Sequence, residues 1–361
     1  MRLKLKGMGK FEAAIVTGNT LAAHAFRDSG PGIRNRETVD WRRLWREAVT
    51  DPRELLAMLD LTHLADRILP RLDTGFALRV PRGFVARMRR GDAADPLLLQ
   101  VLPQAAELDD VAGFGLDAVG DLNSRTAKGV LHKYRGRALL IATGSCAVNC
   151  RYCFRRHFPY AEETAAANGW HEAIEHLADD ASIDEVILSG GDPLSLSTAK
   201  LAELTAALAS IPHIRRLRIH TRLPVVLPER VDADLAAWLR GLPWPIAIVL
   251  HANHANELDA GVADACARLR AAGANLLNQS VLLRGINDDV DTLARLSERL
   301  FDCGVVPYYL HQLDRVAGTA HFAVGDDEAR ALIDRLRERL AGYLVPRLVR
   351  EIPGETSKTP L

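Results

Sequence analysis

The stretch RALLIATGSCAVNCRYC, residues 137–153, sets an apolar, β-prone run directly against a polar loop that carries Cys146, Cys150 and Cys153. One such run could be a strand or a buried turn of helix, so its neighbours decide. Six more follow: EVILSG (185–190), RLRIHTR (216–222), IAIVLHAN (246–253), LLNQSVLL (276–283), VVPYYLHQ (305–312) and LVPRLVREI (344–352). Between them lie helical stretches, TAKLAELTAALAS (198–210), DADLAAWLRG (232–241), NELDAGVADACARLRAAG (256–273) and DDVDTLARLSERLFDCG (288–304). Serial βα units mean parallel strands with helical crossovers, hence an α/β fold that is either a whole or partial (β/α) barrel or an open doubly wound sheet. In each of these, chemistry belongs at the carboxyl ends of the strands. Polar residues do collect there: Cys146 after the first run, Asp192 after the second, Arg222 after the third, His251 after the fourth and Asp314 after the sixth. That regularity favours a barrel-like site.

Towards the N-terminus the rhythm changes. TDPRELLAMLDL (50–61), with Thr50 as its expected cap, and the short basic GFVARMRRG (83–91) read as helices of an accessory region. Residues 1–35 mix Gly, Asn and Arg with little periodicity and read as an extension, with Met8 an equally good initiator. The expected division is an extension over 1–35, a helical accessory region over 36–110 and the barrel over 111–361.

Of 361 residues, 46 are Lys or Arg and 46 Asp or Glu, with 48% hydrophobic, a composition that excludes disordered and fibrous chains. Zero formal charge provides no overall field to draw nucleic acid or an anionic membrane. No apolar run reaches the roughly 18 residues of a membrane span, and the N-terminus lacks a clean signal-peptide core, so a cytoplasmic protein is expected. Five cysteines, three of them within eight residues, argue against a secreted disulfide scaffold and for reduced thiols on a metal.

The C-x3-C-x2-C spacing can wrap one small cofactor. Three thiolates leave one iron of a [4Fe-4S] cluster open, a site that S-adenosylmethionine can chelate. The other reading is a structural zinc completed by His157 or a fourth Cys, although zinc sites more usually pair C-x2-C knuckles. Cys266 and Cys303 fall in predicted helices and read as core thiols. The Gly190-Gly191-Asp192 turn would let backbone approach a ligand closely, or would simply end a strand.

Five motifs together carry a resemblance: CAVNCRYCFRR (146–156), SGGDP (189–193), HTRLPVVLP (220–228), NQSVLLRGIN (278–287) and PYYLHQLD (307–314). The first resembles the radical S-adenosylmethionine superfamily. The five together resemble its lysine 2,3-aminomutase family, over residues 45–360, and most of all the branch that serves elongation factor P.

The resemblance implies a partial (β/α)6-type barrel and three cofactors: a [4Fe-4S] cluster on Cys146, Cys150 and Cys153, S-adenosylmethionine at Gly190, Gly191 and Asp192, and pyridoxal 5′-phosphate. Lys358, otherwise an ordinary charge near the chain end, aligns with the family lysine that forms a Schiff base with pyridoxal phosphate. The family's run of glycines is replaced by Glu355-Thr356-Ser357. Tyr134, Arg137 and Arg222 align with pyridoxal phosphate contacts, with Lys133 and Gln279 as further candidates. Arg155 aligns with the arginine that grips the substrate carboxylate. Asp314 and Glu351 align with two acids that hold the side-chain ammonium of lysine, the second being Asp in the free-lysine enzymes. The implied reaction interconverts L-α-lysine and (R)-β-lysine for the modification of elongation factor P, with that factor, its lysyl-ligase and a flavodoxin or ferredoxin as partners. The chain stops soon after Lys358 where free-lysine enzymes continue, and this also favours the elongation-factor branch. A free-lysine or glutamate 2,3-aminomutase and a non-catalytic iron–sulfur electron carrier are the competing readings.

Overall fold

In the computed structural model the described residues are 40–65, 76–163 and 170–361, so the expected extension over 1–35 lies outside them. All seven runs named above are strands, and they lie side by side in chain order. Three more strands frame them. β1 (Arg125–Ala127) and β2 (Val130–Tyr134) precede β3 (Arg137–Thr143), each antiparallel to the next. The parallel series then runs through β4 (Glu185–Gly190), β5 (Arg216–Thr221), β6 (Ile246–Leu250), β7 (Ala274–Val281), β8 (Val306–His311) and β9 (Arg347–Arg350). β10 (Thr359–Pro360) turns back antiparallel on β9.

The N-terminal part contributes the short helices α1 (Trp41–Arg46), α2 (Pro52–Met58), α3 (Arg82–Val85) and α4 (Pro96–Leu99). Asp51, not Thr50, caps α2, its carboxylate accepting from the Arg53 amide at 2.8 Å, because Pro52 fixes the first turn one residue later. Leu55, Leu56, Phe84 and Leu97 of these helices are fully buried in one core with Leu140, Leu188 and Ile219 of the sheet.

Between the successive strands β3 to β9 lie α5 (Tyr160–Glu163), α6 (His171–Asp179), α7 (Thr198–Ala209), α8 (Leu223–Val226), α9 (Ala233–Arg240), α10 (Ala260–Ala271), α11 (Val290–Asp302) and α12 (Asp326–Arg339). The longer crossover helices carry an apolar stripe at helical spacing, as in Leu332, Leu336 and the neighbouring Ile333 of α12, while Glu338 on the other side is exposed. Cys266 is buried within α10 and Cys303 at the end of α11, both as free thiols in the core.

The sheet alternates. On β5, Leu217 and Ile219 are buried towards the helices, and the intervening Arg218 and His220 point the other way, into the barrel. No described helix is long and apolar enough to cross a membrane.

Candidate active site

The loop after β3 lies against the exit of β4. The Gly191 amide donates to the Thr143 carbonyl at 2.7 Å and the Asp192 amide to the Ser145 carbonyl at 2.8 Å. Gly190 has φ +115°, and a Cβ there would stand 2.5 Å from the Thr143 oxygen; one on Gly191 would strike the Ser145 carbonyl. Both glycines are therefore demanded by the packing of two backbones, and the cysteine loop is fixed by the strand beside it.

Asp192 is fully engaged by the protein. Its carboxylate accepts from the Thr221 hydroxyl at 2.7 Å and from the amides of Leu194, Arg222 and Leu223 at 3.1, 2.7 and 3.0 Å. It ties the end of β4 to the end of β5. Burial nevertheless raises its pKa, the hydrogen bonds offsetting only part of the effect.

Cys146, Cys150 and Cys153 are free thiols on this loop. Burial and the neighbouring sulfurs push Cys146 up strongly and Cys153 to about 11. Two thiols whose ionisation is opposed by burial and by neighbouring sulfur suit a cationic core, and coordination would deprotonate them outright. Among the described residues no three His, Cys, Asp or Glu side chains converge as ligands of one metal ion. His157, the fourth zinc ligand of the competing reading, instead donates through Nε2 to the Ala317 carbonyl at 3.1 Å. Cysteines that each serve a different iron fit this wider arrangement, and the residues present fit a cluster.

Inside the barrel, His220 of β5, His251 after β6, Gln279 of β7 and His311 of β8 follow one another round the sheet. Gln279 Nε2 is 3.0 Å from His251 Nε2 and 3.5 Å from His220 Nδ1. Burial drives His251 down to about 3 and His220 and His311 well below their ordinary value, with nearby cations adding to it. The three imidazoles are neutral, and the Nε2 atoms of His220 and His311 are buried without a partner. Such atoms suit a polar ligand in the lumen.

A second group of charges forms a chain. Arg155 Nε donates to Asp121 Oδ2 at 2.6 Å, Lys133 Nζ lies 2.6 Å from Asp121 Oδ1 and 3.5 Å from Glu351, and Lys358 Nζ donates to Glu351 Oε2 at 2.8 Å. Tyr134 donates its hydroxyl to Glu351 Oε1 at 2.7 Å, while Arg137 stacks 4.5 Å over the Tyr134 ring. Burial alone would raise Asp121, but Arg155 and Lys133 outweigh it and hold the carboxyl below its usual range. Glu351 is held low in the same way, by Lys358, Tyr134 and Lys133.

The β9–β10 hairpin explains why Lys358 reaches Glu351. Thr359 pairs with Arg350, so the residues one step beyond face each other. The connecting turn has Pro353 followed by Gly354 at φ +86°, closed by the Glu355 amide on the Ile352 carbonyl at 3.2 Å. This is the type II pattern, and it needs only the one glycine that the chain keeps.

Asp314, half-buried after β8, shares with Glu351 a cavity of about 540 Å³ that Phe114, Gly115, Arg315 and Arg350 also line. Burial pushes Asp314 up to about 7, with Glu351 adding to the shift and Lys358 opposing it. Arg155 places Nη1 on Ser189 Oγ at 3.1 Å and leaves Nη2 without a protein partner among the described residues.

Of the candidates for pyridoxal phosphate, Lys133, Tyr134 and Arg137 share the β2–β3 hairpin facing Lys358. Arg222 does not join them. Its guanidinium is buried against Cys150 Sγ at 2.7 Å, Gln100 Oε1 at 2.7 Å and Glu257 Oε2 at 2.9 Å, with only Nε left unpartnered, so both of its terminal nitrogens are turned to groups other than a phosphate. Gln279 sits with the histidines in the lumen. Asp121, Gln100 and Glu257 escaped the sequence reading, since an isolated acid or amide in a loop carries no local signal. His220 and His311 had one: a polar residue at alternate positions in a parallel strand faces a barrel interior.

The radical SAM superfamily matches residues 140–296. The fold and the three-cysteine loop define a radical S-adenosylmethionine enzyme, of a superfamily that works with a [4Fe-4S] cluster and S-adenosylmethionine. The chain is 51% identical over 326 residues to L-lysine 2,3-aminomutase of Escherichia coli K12, covering 89% of this chain and 94% of that one. The enzyme of the same name from Haemophilus influenzae is 44% identical, covering 90% and 96%. That from Buchnera aphidicola is 42% identical, also covering 90% and 96%. The chain belongs to the lysine 2,3-aminomutase family, whose members are pyridoxal phosphate-dependent isomerases.

Proposed function

We propose that this chain interconverts L-α-lysine and (R)-β-lysine in the cytoplasm, and that the β-lysine is made for attachment to elongation factor P by its lysyl-ligase. The observation that carries the substrate is the meeting of Asp314 and Glu351 on one cavity at the strand ends. Two carboxylates there, with Arg155 presenting an Nη2 that has no partner among the described residues, suit an amino acid charged at both ends. The elongation-factor role rests on the five motifs and their resemblance to that branch.

When bound, the cluster with S-adenosylmethionine supplies radical chemistry able to activate an inert C–H bond, and pyridoxal phosphate supplies a π-system over which unpaired spin spreads. In this reading Cys146, Cys150 and Cys153 hold the cluster, the Gly190–Gly191 turn lies beside S-adenosylmethionine, and Lys358 holds pyridoxal phosphate with Arg137 and Lys133 at its phosphate. Tyr134 keeps its ring under the Arg137 guanidinium.

Glu351 has two tasks. It holds the Lys358 ammonium, and with Lys358 given over to holding pyridoxal phosphate that carboxylate oxygen would be available, beside Asp314, for the substrate ammonium. Arg155 is held side-on by Asp121, which leaves its outer edge to grip the substrate carboxylate. The neutral histidines line a lumen that the helices shield from water. A flavodoxin or ferredoxin supplies the electron.

The test is turnover by anaerobically reconstituted enzyme given lysine, glutamate and ornithine in competition. Lysine is the preferred substrate in this reading; preference for glutamate overturns it.

A further inference from the structure

Arg222 is 5% exposed at the end of β5, and the Asp192, Gln100 and Glu257 side chains that fix it are themselves buried. Its amide is held by Asp192 at 2.7 Å, and one end of the guanidinium is held by Gln100 and Glu257. Glu257 is 0% exposed and is locked in turn by the amides of Asn253 and His254 at 2.8 and 3.0 Å and by Gln100 Nε2 at 3.1 Å. Of the other two nitrogens, Nε is buried without a partner, and Nη1 lies 2.7 Å from Cys150 Sγ with the Tyr152 hydroxyl beside it. A cation is thus aimed at one of three thiols, with its own counter-charge fixed behind it.

We propose that Arg222 donates a hydrogen bond to the Cys150 sulfur of the bound cluster and that the Arg222–Glu257 pair sets the cluster's reduction potential. The inference rests on Cys146, Cys150 and Cys153 as the cluster's ligands. On reduction, one electron enters from a low-potential one-electron carrier, no bond breaks and no proton moves, so the thiolate-bound cluster becomes more negative by one charge. A buried cation in contact with a ligand sulfur stabilises that added charge. Hydrogen bonds to sulfur and local charge are among the terms that set such potentials, and the low dielectric around Arg222 enlarges both. Glu257 opposes them, so the two side chains have effects of opposite sign.

The experiment is an anaerobic, mediated redox titration followed by electron paramagnetic resonance, without S-adenosylmethionine, on reconstituted unmodified enzyme, Arg222→Met and Glu257→Gln. Iron content is measured first. Arg222→Met is expected to disfavour reduction about tenfold, a potential roughly 59 mV more negative for a one-electron couple. Glu257→Gln is expected to shift it the other way. Shifts of the same sign, or none in either variant, would overturn the proposal, since a merely structural pair has no reason to move the potential in opposite directions. Should Arg222→Met fail to load iron, Glu257→Gln decides alone: a positive shift supports the pair and any other result refutes it. Full iron loading in Cys150→Ala would overturn the ligand set, and this inference with it, and the iron assay tells that failure apart from the others.

Discussion

Tyr134 and Glu351 meet at 2.7 Å although β2, which carries Tyr134, and β9, which precedes Glu351, lie near opposite ends of the sheet order. Lys133 reaches the same carboxylate at 3.5 Å. No backbone pairing joins the two ends of this sheet among the described residues, so side chains span the gap of the partial barrel. The same side chains are those assigned to hold pyridoxal phosphate and substrate, which makes closure and cofactor binding one structural problem.

Removing the hydroxyl alone tests that closure. Tyr134→Phe keeps the ring under Arg137 and loses only the bond to an ionised carboxylate. We expect it to lower unfolding free energy by about 1.5 kcal/mol, the low end for a bond to a charged group because the pair is half-buried. Urea denaturation of the purified chain measures it.

Lys358→Ala should lose the pyridoxyl group that borohydride fixes to the protein, because Lys133, the other amine near Glu351, is tied to Asp121 at 2.6 Å. Peptide mapping of the reduced, unmodified enzyme should find the group on Lys358. Its recovery on another lysine would refute the assignment.

Asp314 gives substrate affinity a pH dependence. Its folded pKa of about 7 lies above the ordinary carboxylate value, so the ligand-free site favours the proton while a cationic substrate favours its loss. Lysine affinity should therefore rise as pH increases towards about 7 and level off above it. The substrate's own side-chain amine, with an ordinary pKa of about 10.4, does not titrate there. The buried histidines stay neutral throughout. Asp314→Asn should flatten this dependence, read as KM against pH.

Charge at the ammonium end is tested by truncation. Asp314→Ala or Glu351→Ala should cost about a hundredfold or more in kcat/KM for lysine, since stripping one partner from a buried charged contact costs about 3–5 kcal/mol. Exposed Glu338 on α12 is the control, and Glu338→Ala should cost little. Equal turnover by all three variants would place the ammonium elsewhere.

Much of this fold is legible in the chain because seven β-prone runs separated by helical stripes admit few arrangements, and the seven are β3 to β9. β1 and β10 are too short for periodicity to reveal, and Thr359–Pro360 becomes a strand only because β9 offers it an edge. The cysteine spacing and the strand-end positions of Asp192, Arg222 and Asp314 are local features that a sequence displays. What Arg222 touches is not. Its position at a strand end is as good for a phosphate as for a sulfur, and only Gln100 and Glu257, distant in the chain, choose between them. Asp121 is similar: nothing near it foretells that Arg155 and Lys133 converge on it.

The most direct measurement of the central claim is the fate of the substrate nitrogen. L-lysine isotopically labelled at its α-nitrogen is given to the anaerobically reconstituted enzyme with S-adenosylmethionine, pyridoxal phosphate and a reductant, and the products are followed by nitrogen-resolved magnetic resonance. The account predicts β-lysine with the label on the carbon next to the original position and none released. Label that stays on the α-carbon, or leaves as ammonia, would contradict it.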